Sequence, residues 1–191
     1  MASHNSSTFA NVRYIFLDRD GVINRKLPEG EYVSSWDHFH LLPEAAEAIA
    51  KLNQSGRTVI VVTNQRGIAL GYYTEADVRA VHSELQNHLN QTGAHIDAFY
   101  FCPHDKNECD CRKPKTGLFE QALRDFPEAS SENSIVIGDS LSDIEAARSF
   151  GAPSIFIQGD PAFQKRGADK AQSLADASSE SLSDAVIRFL S

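Results

Sequence analysis

Five short runs rich in Val, Ile and Phe constrain the fold of this chain more than any other feature: VRYIFL (12–17), RTVIVV (57–62), IDAFYF (96–101), SIVIG (134–138) and SIFIQ (154–158). Near-continuous apolar runs of this length fit strands covered on both faces, as in a parallel sheet. Between them lie patterns of helical period. PEAAEAIAKLNQSG places Pro43 at a first helical position and Gly56 just past the end. TEADVRAVHSELQNHLNQTG offers Thr74 as N-cap, sets Val78, Val81, Leu85 and Leu89 on one face and stops at Gly93. TGLFEQALRDF, LSDIEAARSFG and SESLSDAVIRFL repeat the theme. The alternation predicts a doubly wound α/β fold, a Rossmann-like parallel sheet between helix layers.

A chain of 191 residues suits one domain, here expected over 12–191 after a disordered polar tail at 1–11. The segment 21–42, GVINRKLPEGEYVSSWDHFHLL, lacks a clear period, and loops of that length in a compact domain are often functional. A formal net charge of −8 offers no general attraction to nucleic acid or an anionic membrane, so neither is expected as a partner. The N-terminal stretch has no apolar signal-peptide core, and the longest aliphatic run, VIVV, is far below the ~20 residues of a spanning helix. Three cysteines cannot all pair with one another, which fits a reducing cytoplasmic setting.

In an open parallel sheet, ligands bind beyond the carboxyl ends of the strands. The residues that follow the runs are therefore the candidates: Asp18-Arg19-Asp20-Gly21, Thr63-Asn64-Gln65, Arg112-Lys113-Pro114-Lys115, and Asp139 with Asp143 four positions on. Asp18 and Asp20, at i and i+2, can face one reaction centre, one as a nucleophile toward phosphorus and the other to move protons. Crowded carboxylates repel one another, and a hard cation such as Mg²⁺ relieves that repulsion. A lysine and a threonine hydroxyl suit the equatorial oxygens of a phosphoryl group in transfer. Asp143 can equally orient its neighbours or start a helix, and Asp-Gly at 20–21 alone would signal a turn.

All three cysteines fall within CPHDKNECDCRKP, with one histidine among them: Cys102, His104, Cys109 and Cys111. Three sulfurs and an imidazole complete a tetrahedral set with no open position, as in structural zinc sites. The competing reading is three reduced, unliganded thiols; a redox pair is disfavoured because the spacing is not C-x-x-C. His38, His40, His82 and His88 suit packing or solvated roles.

DRDG, TN, KP and GDSLSD, in that order and at strand ends, resemble the four motifs of the haloacid dehalogenase (HAD) superfamily of phosphotransferases. The longer stretches FLDRDGVIN, VVTNQRGIALG, CPH…CDCRKPKTG and GDSLSDIEAA resemble its heptose-1,7-bisphosphate 7-phosphatases over roughly residues 12–158. That resemblance implies Asp18 as the nucleophile, Asp20 as general acid and base, and Mg²⁺ held by Asp18, Asp139 and the backbone carbonyl of Asp20. It implies Thr63 and Lys113 at the transferring phosphoryl group and Arg112 in substrate recognition. Asn64, Gln65, Arg66 and the loop around Gly30 and Tyr32 would contact the substrate, and Arg66 is balanced between surface and site. The implied enzyme is a monomer without a large cap domain that acts on a small sugar phosphate. The short spacing from His104 to Cys109 is closer to the histidinol-phosphate phosphatases, which share the zinc motif and supply the alternative substrate. A polynucleotide 3′-phosphatase fits the acidic charge and the cysteine set less well, and a non-catalytic zinc-binding module is the reading from another class.

Overall fold

Alternation along each strand decides how the layers assemble. In β1 (Tyr14–Leu17), Ile15 and Leu17 enter one apolar cluster while Tyr14 and Phe16 enter another. The same split recurs in β2 (Thr58–Asn64), with Val59 and Val61 against Ile60 and Val62, and in β4 (Ser134–Gly138), with Ile135 and Ile137 against Val136. A strand apolar on both sides must lie inside a sandwich. The computed structural model, which describes residues 9, 11–28, 30–164 and 166–190, shows that arrangement. With β3 (Ala98–Cys102), β5 (Ser154–Ile157) and β6 (Ala177–Ser179), the strands form one parallel sheet in the order β3-β2-β1-β4-β5-β6.

Helices α1 (Ala45–Gln54), α2 (Glu75–Asn90) and α6 (Leu182–Phe189) supply one cluster, and α3 (Gly117–Asp125) with α4 (Leu141–Phe150) supplies the other. On the second face Phe119 meets Phe16 edge-on at 5.1 Å and stacks on Phe150 at 5.0 Å. Thr74 caps α2 with a reciprocal box to Asp77, and Val78, Val81, Leu85 and Leu89 are buried as their spacing predicts.

Three local expectations change. The first helix starts at Ala45, because Glu44 adopts φ 58 and turns the chain after Pro43. Strand β6 and helix α5 (Ala168–Leu174) carry no apolar run; β6 exists because its Ala-Ser-Ser backbone completes the ladder on β5, and α5 because Ala171 packs on Ile144 and Phe156. Of the expected tail, residues 1–8 and 10 lie outside the described residues, whereas Phe9 is buried edge-on to Phe189 at 5.5 Å. The packed body thus reaches back beyond residue 12. The aperiodic segment 21–42 is tied down by buried Val22, Ile23, Val33 and Phe39 and by a bridge from Asn24 to Leu41. Among the described residues, no helix is long and apolar enough to cross a membrane.

His82 is buried on α2, its ring stacked on Phe99 at 4.4 Å and its Nε2 placed 3.4 Å from the Arg19 guanidinium. Burial, and then the Arg19 charge, push its pKa down to about 3. Above pH 6.5 neither the folded nor the unfolded form carries this proton, so full stability is present; below it only the unfolded chain binds the proton. Stability is therefore expected to fall as pH drops from 6.5 toward 3, by up to about 1.4 kcal/mol per unit. Urea unfolding across that range should show a shallower loss for His82→Gln, and superimposable profiles would remove His82 as the cause.

Candidate active site

Strand β1 ends at Leu17, and Asp18 continues the ladder through its N–H to the Ile137 carbonyl at 2.9 Å, which fixes its backbone beside β4. Its carboxylate lies 3.0 Å from Lys113 Nζ. That ammonium is 3% exposed, donates to the Val62 carbonyl at 2.7 Å and lies 2.6 Å from Asp143. Burial alone would lower the lysine pKa, but Asp143 and Asp18 outweigh it and the net shift is upward, so the cation is permanent. Asp143 accepts from the Ser140 N–H at 3.0 Å and hydroxyl at 2.6 Å. It both starts α4 and orients Lys113, so the two roles open in the sequence coexist.

Asp139 follows β4 and comes close to Asp18 and Asp143, with one carboxylate oxygen of each within 4.8 Å of the others. Three hard oxygen donors at such distances fit a hard divalent cation. Lys26, from the 21–42 segment, forms an ion pair with Asp139. The sequence did not single out Lys26, because it stands in no strand-end motif.

Asp20 faces a second, adjoining network. Its carboxylate accepts from Arg19 Nη2 at 2.9 and 3.0 Å, from Asn24 Nδ2 at 2.9 Å and from Gln65 Nε2 at 3.0 Å. Burial pushes its pKa up, yet the Arg19 charge and these hydrogen bonds hold it below the usual carboxylate value. Arg19 is fully buried, and it and Asn24 are functional neighbours that no reading of DRDGVIN as a set of motifs would place here.

Several residues expected at the substrate are engaged elsewhere. Gln65 is 2% exposed and donates also to Thr63 Oγ1 at 3.0 Å, which leaves the buried Thr63 hydroxyl its own hydrogen to donate. Asn64 is bound to Lys113 at both ends of its amide: Nδ2 donates to the Lys113 carbonyl, and Oδ1 accepts from the Lys113 N–H, each at 3.1 Å. It locates the lysine rather than facing a ligand. Arg66 makes a two-pronged pair with Asp105 at 2.5 and 3.1 Å, bracing the cysteine loop against the end of β2. Arg112 is partly exposed, donates to the His104 carbonyl at 3.4 Å and lies close enough to Asp105 to help hold its carboxyl pKa down. Gly30 stands exposed at φ 92, and Tyr32 stacks on Tyr72 at 5.2 Å.

Cys102, His104, Cys109 and Cys111 converge so that one ligand atom of each lies within 4.8 Å of the others. The S···S and S···N separations run from 3.3 to 3.7 Å. A tetrahedron with zinc–sulfur bonds of about 2.3 Å has edges of about 3.8 Å, so the set has the size of a closed site.

A family model described as HAD-hydrolase-like matches residues 110–185. The chain is 43% identical to the D-glycero-alpha-D-manno-heptose-1,7-bisphosphate 7-phosphatase of Mycobacterium tuberculosis over 169 residues, 88% of this chain and 86% of that one. It is 39% identical to the D-glycero-beta-D-manno-heptose-1,7-bisphosphate 7-phosphatase of Pseudomonas aeruginosa over 145 residues, covering 75% and 80% of the two chains.

The chain belongs to the heptose-bisphosphate phosphatase family of HAD-like hydrolases.

A crystal structure of D,D-heptose 1,7-bisphosphate phosphatase from B. bronchiseptica, complexed with magnesium and phosphate, superposes with a TM-score of 0.81 at 31% identity and covers 94% of this chain and 98% of that one. The fold is thus the one the sequence led us to expect. In this family member the close approach of Gly21 to the acidic cluster is a point of sensitivity. Gly21 has φ 97, and a Cβ there would lie 2.2 Å from Asp139 Oδ2. Gly21→Ala is expected to cost about 1–3 kcal/mol through its backbone conformation alone and to displace the Asp139 carboxylate as well. Thermal unfolding with and without Mg²⁺ measures both effects: a lower Tm and a smaller rise on adding the ion. An unchanged Tm and an unchanged rise would show that the contact relaxes freely.

Proposed function

We propose that this chain hydrolyses the 7-phosphate of D-glycero-D-manno-heptose 1,7-bisphosphate through an aspartyl-phosphate on Asp18. The observation that carries the reading is the Asp18 carboxylate, held by a buried ammonium beside Asp139 and Asp143, in a chain so similar to enzymes named for that reaction. As an Asp18 oxygen bonds to phosphorus, the bond from phosphorus to the sugar oxygen breaks and Asp20 passes its proton to that oxygen. Asp20 then takes a proton from a water whose oxygen attacks phosphorus and releases Asp18. The donors around Asp20 favour the carboxylate needed for this second step. An arriving phosphate dianion opposes that charge and favours the protonated form needed for the first. Lys113 and the free hydrogen of Thr63 face the equatorial oxygens.

Asp18, Asp139 and the backbone carbonyl of Asp20 would hold magnesium, which when bound offsets the charge of the carboxylates and the phosphate. Asp143, already engaged by Ser140 and Lys113, stands behind them as a positioning group. Arg112 and the Gly30–Tyr32 loop are the groups left to recognise the sugar and its distal phosphate. The histidinol-phosphate alternative rested on one short spacing, whereas the similarity to heptose enzymes spans 88% of the chain. The mycobacterial enzyme, named for the alpha bisphosphate, is the more similar of the two curated relatives reported above, which supports the alpha anomer. Reduced thiols in the cysteine loop suit a cytoplasmic enzyme.

Comparing kcat/KM for the two heptose bisphosphate anomers and for histidinol phosphate tests the assignment. The alpha heptose substrate is expected to lead, with Asp18→Asn inactive in every case; a tenfold advantage for histidinol phosphate would overturn the substrate.

Zinc held by the four clustered ligands would have a positional role. Cys111 immediately precedes Arg112 and Lys113, so holding its sulfur holds the backbone that aims both cations. A misplacement of about 1 Å in a catalytic group costs on the order of 10²-fold in rate. Cys109→Ser is expected to lower zinc content and kcat together, read by metal analysis beside kinetics. Full activity in protein shown to be zinc-free would refute the positional role.

A further inference from the structure

Gln65 hydrogen-bonds to both Asp20 and Thr63, and nothing in the reaction scheme above explains why its amide is held as it is. An aspartate carboxylate only accepts, so the end of Gln65 facing Asp20 must be its NH₂ group. One hydrogen goes to Asp20 Oδ2 and the other to Thr63 Oγ1, each at 3.0 Å. The opposite end, Oε1, accepts from the Tyr73 hydroxyl at 2.8 Å and, at the longer distance of 3.4 Å, from Arg19 Nη2. Tyr73 is 7% exposed and immediately precedes Thr74, the N-cap of α2, so the capping box locates its backbone. Gly67 leaves room for its ring, since a Cβ there would lie 2.1 Å from Tyr73 Cε1.

We propose that Tyr73 and Gln65 are positioning residues for the phosphatase reaction: Tyr73 fixes the orientation of the Gln65 amide, which in turn aims the Asp20 carboxylate at the leaving oxygen. This rests on Asp20 being the general acid. Without the Tyr73 hydroxyl, Gln65 Oε1 is left with the longer contact from Arg19 Nη2, and the amide that donates to Asp20 is held less firmly. Burial pushes the Tyr73 pKa up to about 12, so the hydroxyl remains a donor throughout the working range of such an enzyme.

The test separates aim from architecture by the leaving group. A p-nitrophenolate leaves without a proton, whereas a sugar alkoxide needs one, and kcat/KM reports the step in which it leaves. For Tyr73→Phe we expect kcat/KM to fall about tenfold with the heptose bisphosphate, or with the best primary alkyl phosphate in a sugar-phosphate panel, and to stay within about twofold with p-nitrophenyl phosphate. KM should hardly change. Gln65→Leu should extend the alkyl loss to about 10²-fold, and Gly67→Ala should reproduce the Tyr73→Phe pattern. In an Asp20→Asn background, Tyr73→Phe should add nothing for the alkyl phosphate, because the two act through one group.

Equal losses on both leaving groups, a raised KM with kcat intact, or a further alkyl loss in the Asp20→Asn background would overturn the proposal. If Asp20→Asn itself shows no dependence on the leaving group, the acid role of Asp20 falls and the proposal with it. The heptose assignment is judged separately, by which alkyl phosphate the unmodified enzyme prefers.

Discussion

A buried ammonium organises this molecule. Lys113 arrives from the loop after β3, and its three partners come from elsewhere: Asp18 after β1, the Val62 carbonyl within β2 and Asp143 on α4. An ammonium taken out of water is tolerated only when paired and hydrogen-bonded, and removing one partner of such a group typically costs about 3–5 kcal/mol. The carboxyl edge of the sheet is therefore closed around one charge. Asp18, the proposed nucleophile, and the start of α4 are located by the same contacts that neutralise it.

Other parts of the site position Lys113 and its neighbours from further out. Asn64 grips the lysine backbone at both its N–H and its carbonyl. The Cys/His cluster ends at Cys111, two residues before Lys113, and Arg66 ties that loop to β2 through Asp105. On the other side, Arg19 sits fully buried between Asp20, Gln65 and His82, with its guanidinium 5.9 Å from the Phe39 ring. The 21–42 segment thus contributes more than a cover: Asn24 reaches Asp20, Lys26 pairs with Asp139, and Phe39 packs under Arg19. This segment, between β1 and α1, and the cysteine loop, between β3 and α3, flank the carboxyl edge of the sheet.

How far the site can be read without coordinates depends on the range of the interaction concerned. Asp18, Thr63 and Asp139 were legible because each closes or follows a strand, and Lys113 because it stands in the loop after one; strands announce themselves through runs of β-branched and aromatic residues. The zinc-type cluster was legible because all four ligands fall within ten positions. Lys26, Tyr73 and Arg19 were not, since a lysine in an aperiodic loop, a tyrosine before a helix cap and an arginine between two aspartates carry no local mark of a distant partner. Gln65, Asn64 and Arg66 were placed near the site for a sound reason, their position after β2, but which way each side chain turns depends on Asp20, Lys113 and Asp105, up to 49 residues away.

By itself the sequence determined the layers of the fold and the sheet edge at which Asp18, Thr63, Lys113 and Asp139 gather, because apolar period and strand-end motifs are local properties of the chain. Only the tertiary structure decided which polar groups are free to meet a ligand and which are already occupied. That distinction turns on pairing energies between residues remote in sequence, and burial enforces it: a buried amide or guanidinium must find its partner inside the protein. Asn64 and Gln65 are thereby committed to partners inside the protein.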